Sequence, residues 1–123
     1  MDATDNSPEV KAFWEALADG RFLVRRCTDC SRAHWYPRGV CPFCFSGGTE
    51  WVDGSGRGTI YSYSVMRRVQ TPYAIAYVTL EEGPTMMTNI VDCSFDDLRI
   101  GQAVRLSIQK RADGLSLPMF TPA

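Results

Sequence analysis

The most specific chemical signal in the chain is a pair of cysteine motifs, Cys27-Thr28-Asp29-Cys30 and, after the ten residues from Ser31 to Val40, Cys41-Pro42-Phe43-Cys44. A CxxC pair lets the backbone turn back as a knuckle and present two thiolates to one ion, and two knuckles complete a tetrahedral sulfur shell. The spacer is long enough for a turn or a short hairpin and too short for a domain, so the spacing predicts a zinc ribbon over Cys27 to Cys44. Four thiolates close the shell and leave no position open for a substrate, so the expected role of the ion is in folding. Iron accepts the same sulfur cage, as in rubredoxin. Ser31 and Phe45, however, follow the second cysteine of each pair, where an iron knuckle favours glycine, and zinc is preferred on that ground. His34, the only histidine, falls in the spacer. With four thiolates already present it is expected at the surface or as a supporting residue.

No other pattern supplies a catalytic set. Glu81-Glu82 and Asp96-Asp97 are sequence neighbours in turn-like stretches, which suits solvated ends better than an acid/base pair. Cys93 is the fifth cysteine and is expected to be a buried or half-buried inert thiol. GxSxG, HExxH and dinucleotide fingerprints are absent. Gly54-Ser55-Gly56-Arg57-Gly58 resembles a phosphate loop but lacks the Lys-Ser/Thr ending and runs into a strand pattern, so it reads as a flexible hinge or bulge.

These motifs need elements to hold them. Ser7-Pro8-Glu9 carries helix-start chemistry, Val10, Phe13, Trp14 and Leu17 recur on one helical face, and Gly20 supplies the stop. Phe22 to Arg26 is a strand-like entry to the first knuckle. Five strands then follow at Thr59 to Val69, Tyr73 to Leu80, Thr85 to Asp92, Ala103 to Arg111 and Leu115 to Phe120, with one short helical turn at Ser94 to Leu98. Five strands with the helical interruption between the third and fourth fit the Greek-key OB barrel; an SH3-like barrel would not explain that turn. The expected architecture is mainly β, with an N-terminal helix (1–20), a rubredoxin-like zinc ribbon (21–53) and a five-stranded OB-fold barrel (54–123).

The 123 residues are 45% hydrophobic and 22% charged, the balance of an ordinary globular domain. With 13 Lys+Arg against 14 Asp+Glu the net charge is −1, without the basic excess that nonspecific nucleic-acid binding relies on. A single-stranded nucleic-acid-binding ribbon/OB module is therefore the secondary reading. The polar start and the lack of any long apolar run predict a cytoplasmic chain with no membrane span. Arginine supplies 11 of the 13 cations; Arg21, Arg25, Arg26, Arg32 and Arg38 fall between Gly20 and Val40 against Asp29 alone, and three of them, Arg25, Arg26 and Arg38, are the candidate contacts. Guanidinium groups there suit phosphate or carboxylate. Ala103 to Arg111 alternates as a half-exposed strand should, with Val104, Leu106 and Ile108 opposite Arg105, Ser107 and Gln109. Tyr73 to Leu80 does not: Tyr73, Ile75 and Tyr77 back the apolar Ala74, Ala76, Val78 and Leu80, so its outer face needs a cover. That cover is either the chain's own ribbon and helix or a ligand or partner. Tyr61, Tyr63, Tyr73 and Tyr77, with the three arginines, are the candidate ligand or partner surface.

The ordered residues Phe13-Trp14, Gly20-Arg21-Phe22-Leu23, Arg26-Cys27-x-x-Cys30, Tyr36-Pro37-Arg38, Cys41-Pro42-x-Cys44, Gly56-x-Gly58-x-Ile60-Tyr61-Ser62, Val78-x-Leu80-x-Glu82-Gly83-Pro84 and Ile100-Gly101-x-x-Val104 resemble the acyl-CoA-associated zinc-ribbon/OB-fold family, domain of unknown function 35. The resemblance runs from about Phe13 to Phe120. It implies a non-catalytic accessory subunit, with Cys27, Cys30, Cys41 and Cys44 holding structural Zn2+. The implied partners are thiolase-like enzymes, including acetyltransferase complexes, hydroxymethylglutaryl-CoA-forming assemblies and steroid side-chain retro-aldolases, or MaoC-like hydratases. In that picture the partner supplies the catalytic residues and this chain completes the acyl-CoA channel.

Overall fold

The computed structural model describes residues 8–34 and 40–123. The Ser7 cap and the stretch 35–39, including Arg38, lie outside the described residues. Helix α1 (Pro8–Ala18) buries Val10, Phe13 and Leu17 and half-buries Trp14, the stripe that the spacing predicts. It stops as expected at Gly20, whose φ is 83°. The Arg21 amide donates to Ala16 O at 2.9 Å and the Gly20 amide to Leu17 O at 3.0 Å, closing the last carbonyls in a Schellman motif. No helix among the described residues is long and apolar enough to cross a membrane.

The ribbon is a small antiparallel sheet of β1 (Leu23–Cys27), β2 (Ala33–His34) and β3 (Thr49–Asp53) in the order β2-β1-β3. It cannot bury a core by itself. Phe22, Leu23 and Val24 instead enter one continuous core with Phe13, Leu17 and the barrel residues Ile60, Val78, Leu80, Val104 and Phe120. Phe22 takes the Phe13 ring edge-on at 6.0 Å and Phe120 at 6.3 Å.

Five further strands close the barrel: β4 (Arg57–Met66), β5 (Tyr73–Leu80), β6 (Thr85–Ile90), β7 (Ala103–Lys110) and β8 (Ser116–Pro122), in the order β4-β5-β6-β8-β7, with β7 returning to β4. The β6–β8 contact is parallel and the others antiparallel. A 3-10 turn at Phe95–Asp97 lies between β6 and β7, where the sequence placed its helical interruption. This is the OB-fold arrangement. The parallel seam is thin: Ile90 pairs with Phe120, the Val91 amide donates to Phe120 O at 2.9 Å, and the buried Thr88 hydroxyl reaches Pro118 O at 2.8 Å.

Two expectations need correction. The glycine-rich stretch 54–58 is packed, not flexible. A Cβ on Gly54 would lie 2.9 Å from the Phe22 ring, and one on Gly58 would lie 2.7 Å from Thr79 O, so the missing side chains let the Phe22 ring pack on the backbone at 54 and β5 approach the backbone at 58. The bulge instead falls between Ile60 and Ser62, where the β4–β5 register shifts. This shift splits the tyrosines, because a one-residue slip exchanges the faces of a strand. Ser62 comes to lie opposite Tyr77, while Tyr63 pairs with the inward-facing Ala76 and donates its hydroxyl to Leu98 O at 2.9 Å.

Phe120 has no exposed surface and joins ribbon to barrel. We expect Phe120→Ala to cost about 3–5 kcal/mol in denaturant unfolding. A loss below about 1 kcal/mol would show that the shared aromatic junction is not what fixes the two parts.

Candidate functional site

β1 ends at Cys27 and β3 starts at Thr49, its register partner, so the sheet brings both ends of the metal segment together. The two knuckles between them are built alike. The Ser31 amide donates to Cys27 O and the Phe45 amide to Cys41 O, both at 3.0 Å. The Asp29 and Phe43 amides point at Cys27 Sγ and Cys41 Sγ, both at 3.4 Å. Asp29 also accepts from Ser46 Oγ, tying one knuckle to the other.

The four Sγ atoms of Cys27, Cys30, Cys41 and Cys44 all lie within 4.8 Å of one another, with Cys27–Cys44 and Cys30–Cys41 at 3.6 Å. A tetrahedral ion with metal–sulfur bonds of about 2.3 Å needs sulfur–sulfur edges of roughly 3.8 Å, so the donor set fits. Electrostatics fits as well. Burial opposes the Cys41 thiolate, but the Cys44 and Phe43 amides and the thiols of Cys30 and Cys44 outweigh it and bring its pKa to about 7. At Cys44 the Ser46 amide favours the thiolate, but burial and the three other cysteines push the pKa up to about 12. A cation between the sulfurs would relieve the mutual repulsion of thiolates held this close.

Ser31 and Phe45 both adopt φ 64°. A side chain at these positions argues against iron only if it keeps the backbone from the glycine conformation, yet both take the left-handed conformation that glycine would. Their identity therefore does not choose the metal. His34 is buried in β2 opposite Arg25, not at the surface, and lies outside the sulfur cluster.

The candidate surface residues separate in space. Arg25 lies with its guanidinium 4.9 Å from the Trp51 ring centroid and donates to Thr49 Oγ1 at 3.0 Å, so it braces the ribbon sheet. Arg26 is exposed on the same strand. It borders a crevice shared with Ser31, Ala33 and Glu82, which adjoins an open groove of about 770 Å³ between the ribbon and the β5–β6 turn. Arg32, His34, Phe43 and Pro84 line that groove. On the barrel, Tyr73 and Tyr77 share the outer face with Thr59, Ser62, Ser64 and Met66 on one side and Thr85, Met87 and Asn89 on the other. None of these residues is charged, and Tyr77 is 48% and Met87 62% exposed. The described ribbon and helix leave this face open. Tyr61, the extra residue of the bulge, stands out from it at 68% exposure.

The sequence did not single out the exposed side chains of Met87 and Phe43. Phe45 was signalled by an aromatic where the knuckle geometry prefers glycine. Cys93 is half-buried against the core, and burial, followed by the charges of Asp92 and Asp97, raises its thiol pKa, which disfavours a nucleophilic thiolate.

The ChsH2 rubredoxin-like zinc ribbon domain matches residues 14–50, and the ChsH2 C-terminal OB-fold domain matches residues 51–109. A DUF35 domain-containing scaffold protein of Methanocaldococcus jannaschii is 36% identical over 111 residues, covering 82% of this chain and 78% of its own length. The chain belongs to the DUF35 family. Over 118 residues this DUF35 chain is also 36% identical to a probable enoyl-CoA hydratase alpha subunit of Thermomonospora curvata, covering 91% of this chain but only 37% of that relative's length. It is 32% identical to the benzoylsuccinyl-CoA thiolase subunit BbsA of Thauera aromatica, over 63% of this chain and 62% of BbsA. Among solved structures, a chain of the Ltp2-ChsH2(DUF35) aldolase superposes with a TM-score of 0.83 and 31% identity, covering 94% of this DUF35 chain and 95% of that one.

The left-handed knuckle residues generate one prediction. A side chain costs roughly 1–2 kcal/mol at such a φ, and the greater freedom of glycine in the unfolded chain returns about 0.4–1 kcal/mol of that. Ser31→Gly and Phe45→Gly should each raise metal-loaded stability by about 0.5–1 kcal/mol in urea unfolding. Destabilisation by either would mean that the side chain supports the knuckle.

Proposed function

We propose that this DUF35 chain is a non-catalytic, zinc-bearing accessory subunit that docks on a thiolase-like enzyme and helps form its acyl-CoA channel. The observation that carries the reading is the whole-chain superposition on a chain of the Ltp2-ChsH2(DUF35) aldolase. The thiolase and hydratase subunits among its relatives support the same class of partner. The uncharged barrel face supports it physically. A sheet face carrying Tyr73, Ile75, Tyr77 and Met87 gains from being covered, and aromatic and methionine side chains with few charges are typical of interface cores. The same lack of charge counts against single-stranded nucleic acid, which would need cations tracking its backbone beside the stacking rings.

Zinc in this reading holds the ribbon, with Cys27, Cys30, Cys41 and Cys44 as its ligands. Arg26 and Arg38 are the proposed contacts for acyl-CoA phosphates, since Arg25 is already engaged with Trp51 and Thr49.

Isolation of the tagged chain from its native host should recover a thiolase-like enzyme in a defined complex. Recovery only as a monodisperse monomer would count against the proposal. Joint Tyr77→Glu and Met87→Glu substitution should weaken that complex at least tenfold without lowering metal content. Elemental analysis should find one zinc per chain. Cys41→Ser should remove the zinc together with cooperative unfolding, whereas a metal-free, fully folded protein would exclude the structural role. Protons compete with zinc for the thiolates, so the stability the ion provides should be present at neutral pH and lost as the pH falls.

A further inference from the structure

Phe45 places a ring where the fold does not require one. The residue holds φ 64° and is 78% exposed. Ser31 has the same φ and the same amide bond at the other knuckle, so the conformation belongs to the knuckle and not to the phenyl ring. A bulky residue at positive φ is an outlier, and an exposed ring adds little to the core. Strain of this kind persists where function uses it. The neighbourhood gives it direction: Val40 and Phe43 are also exposed, and the Arg32 guanidinium lies 4.5 Å from the Phe43 ring centroid. Asp29, the acid of the other knuckle, is engaged by Ser46.

We infer that the second knuckle is a docking tip, in which Phe45 enters an apolar pocket of the partner enzyme and Arg32 meets a carboxylate on the pocket's rim. The inference rests on the accessory-subunit reading and adds a contact separate from the barrel face. Arg32 calls for a carboxylate on the pocket's rim, and the enzyme is the occupant because the accessory-subunit reading already requires it as partner. Aromatic and arginine side chains are also the types that dominate binding energy at interface centres. The exposed Cys44 adjoins Phe45, so a docked partner would also cover one sulfur of the metal site.

The test uses metal-loaded chain and the thiolase-like enzyme recovered with it, titrated as separately purified subunits. Phe45→Gly should bind at least tenfold more weakly, Phe45→Leu should fall between it and wild type, and Arg32→Glu should also bind more weakly. Metal content should be unchanged, and the thermal midpoint of Phe45→Gly should not drop. Adding the enzyme should slow zinc transfer from the wild-type chain to a chelator at least threefold, and should do so less for Phe45→Gly. If Phe45→Gly binds as tightly as wild type, the docking tip is wrong and the accessory role stands. If no thiolase-like enzyme is recovered with the wild-type chain, the accessory role falls and the tip falls with it. Phe45-dependent sedimentation with phosphatidylcholine/phosphatidylglycerol vesicles, without Phe45-dependent enzyme binding, would assign the tip to a lipid surface and overturn the proposal.

Discussion

Phe22 stands where helix, ribbon and barrel meet, and the position of each depends on it. Its ring contacts Phe13 of the helix and Phe120 of the barrel, and its carbonyl accepts the Gly54 amide at 2.7 Å. Strand β1 begins one residue later and runs directly into Cys27. The packing that seats the helix therefore also aims the first knuckle. A ribbon of this size buries too little apolar surface to hold its own orientation, and sharing a core with its neighbours supplies what it lacks. The glycines at 54 and 58 belong to the same constraint, since Phe22 and Val24 crowd the first and β5 crowds the second, leaving no space for a Cβ at either.

The exposed ion pairs contribute little by comparison. Arg21–Asp53, Arg57–Glu81 and Arg67–Asp96 are well formed at 2.7–2.9 Å, but the side chains are more than half exposed, and such pairs are typically worth about 0–1 kcal/mol. Specific geometry comes instead from neutral contacts. The Tyr63 hydroxyl on Leu98 O pins the 3-10 turn to β4, and Thr88 bridges the narrow parallel seam. The charges that remain distinctive are the two arginines stacked on rings, Arg25 on Trp51 and Arg32 on Phe43.

What was legible in the sequence was local. The CxxC spacing placed the four sulfurs, the helical stripe and Gly20 bounded α1, and the turn residues separated the five barrel strands. Strand ends shifted by a few residues where pairing partners decided them: β4 begins at Arg57 because Arg57 and Gly58 pair with Arg105 and Val104. The register shift at Tyr61 was not legible, since it depends on how β4 meets β5 and not on the alternation of β4 itself. Grouping Tyr63 with Tyr77 failed for that reason. Phe45 was visible as a departure from glycine, but its meaning required the backbone angle and the exposure together.

The uncharged outer face of β4, β5 and β6 also bears on how the protein is produced. Nothing on that face repels a second molecule, so chains made in excess of whatever covers it would meet one another through Tyr77 and Met87. An uncharged face of this kind carries a risk of self-association wherever it stays uncovered, so concentration itself becomes a variable in handling the chain.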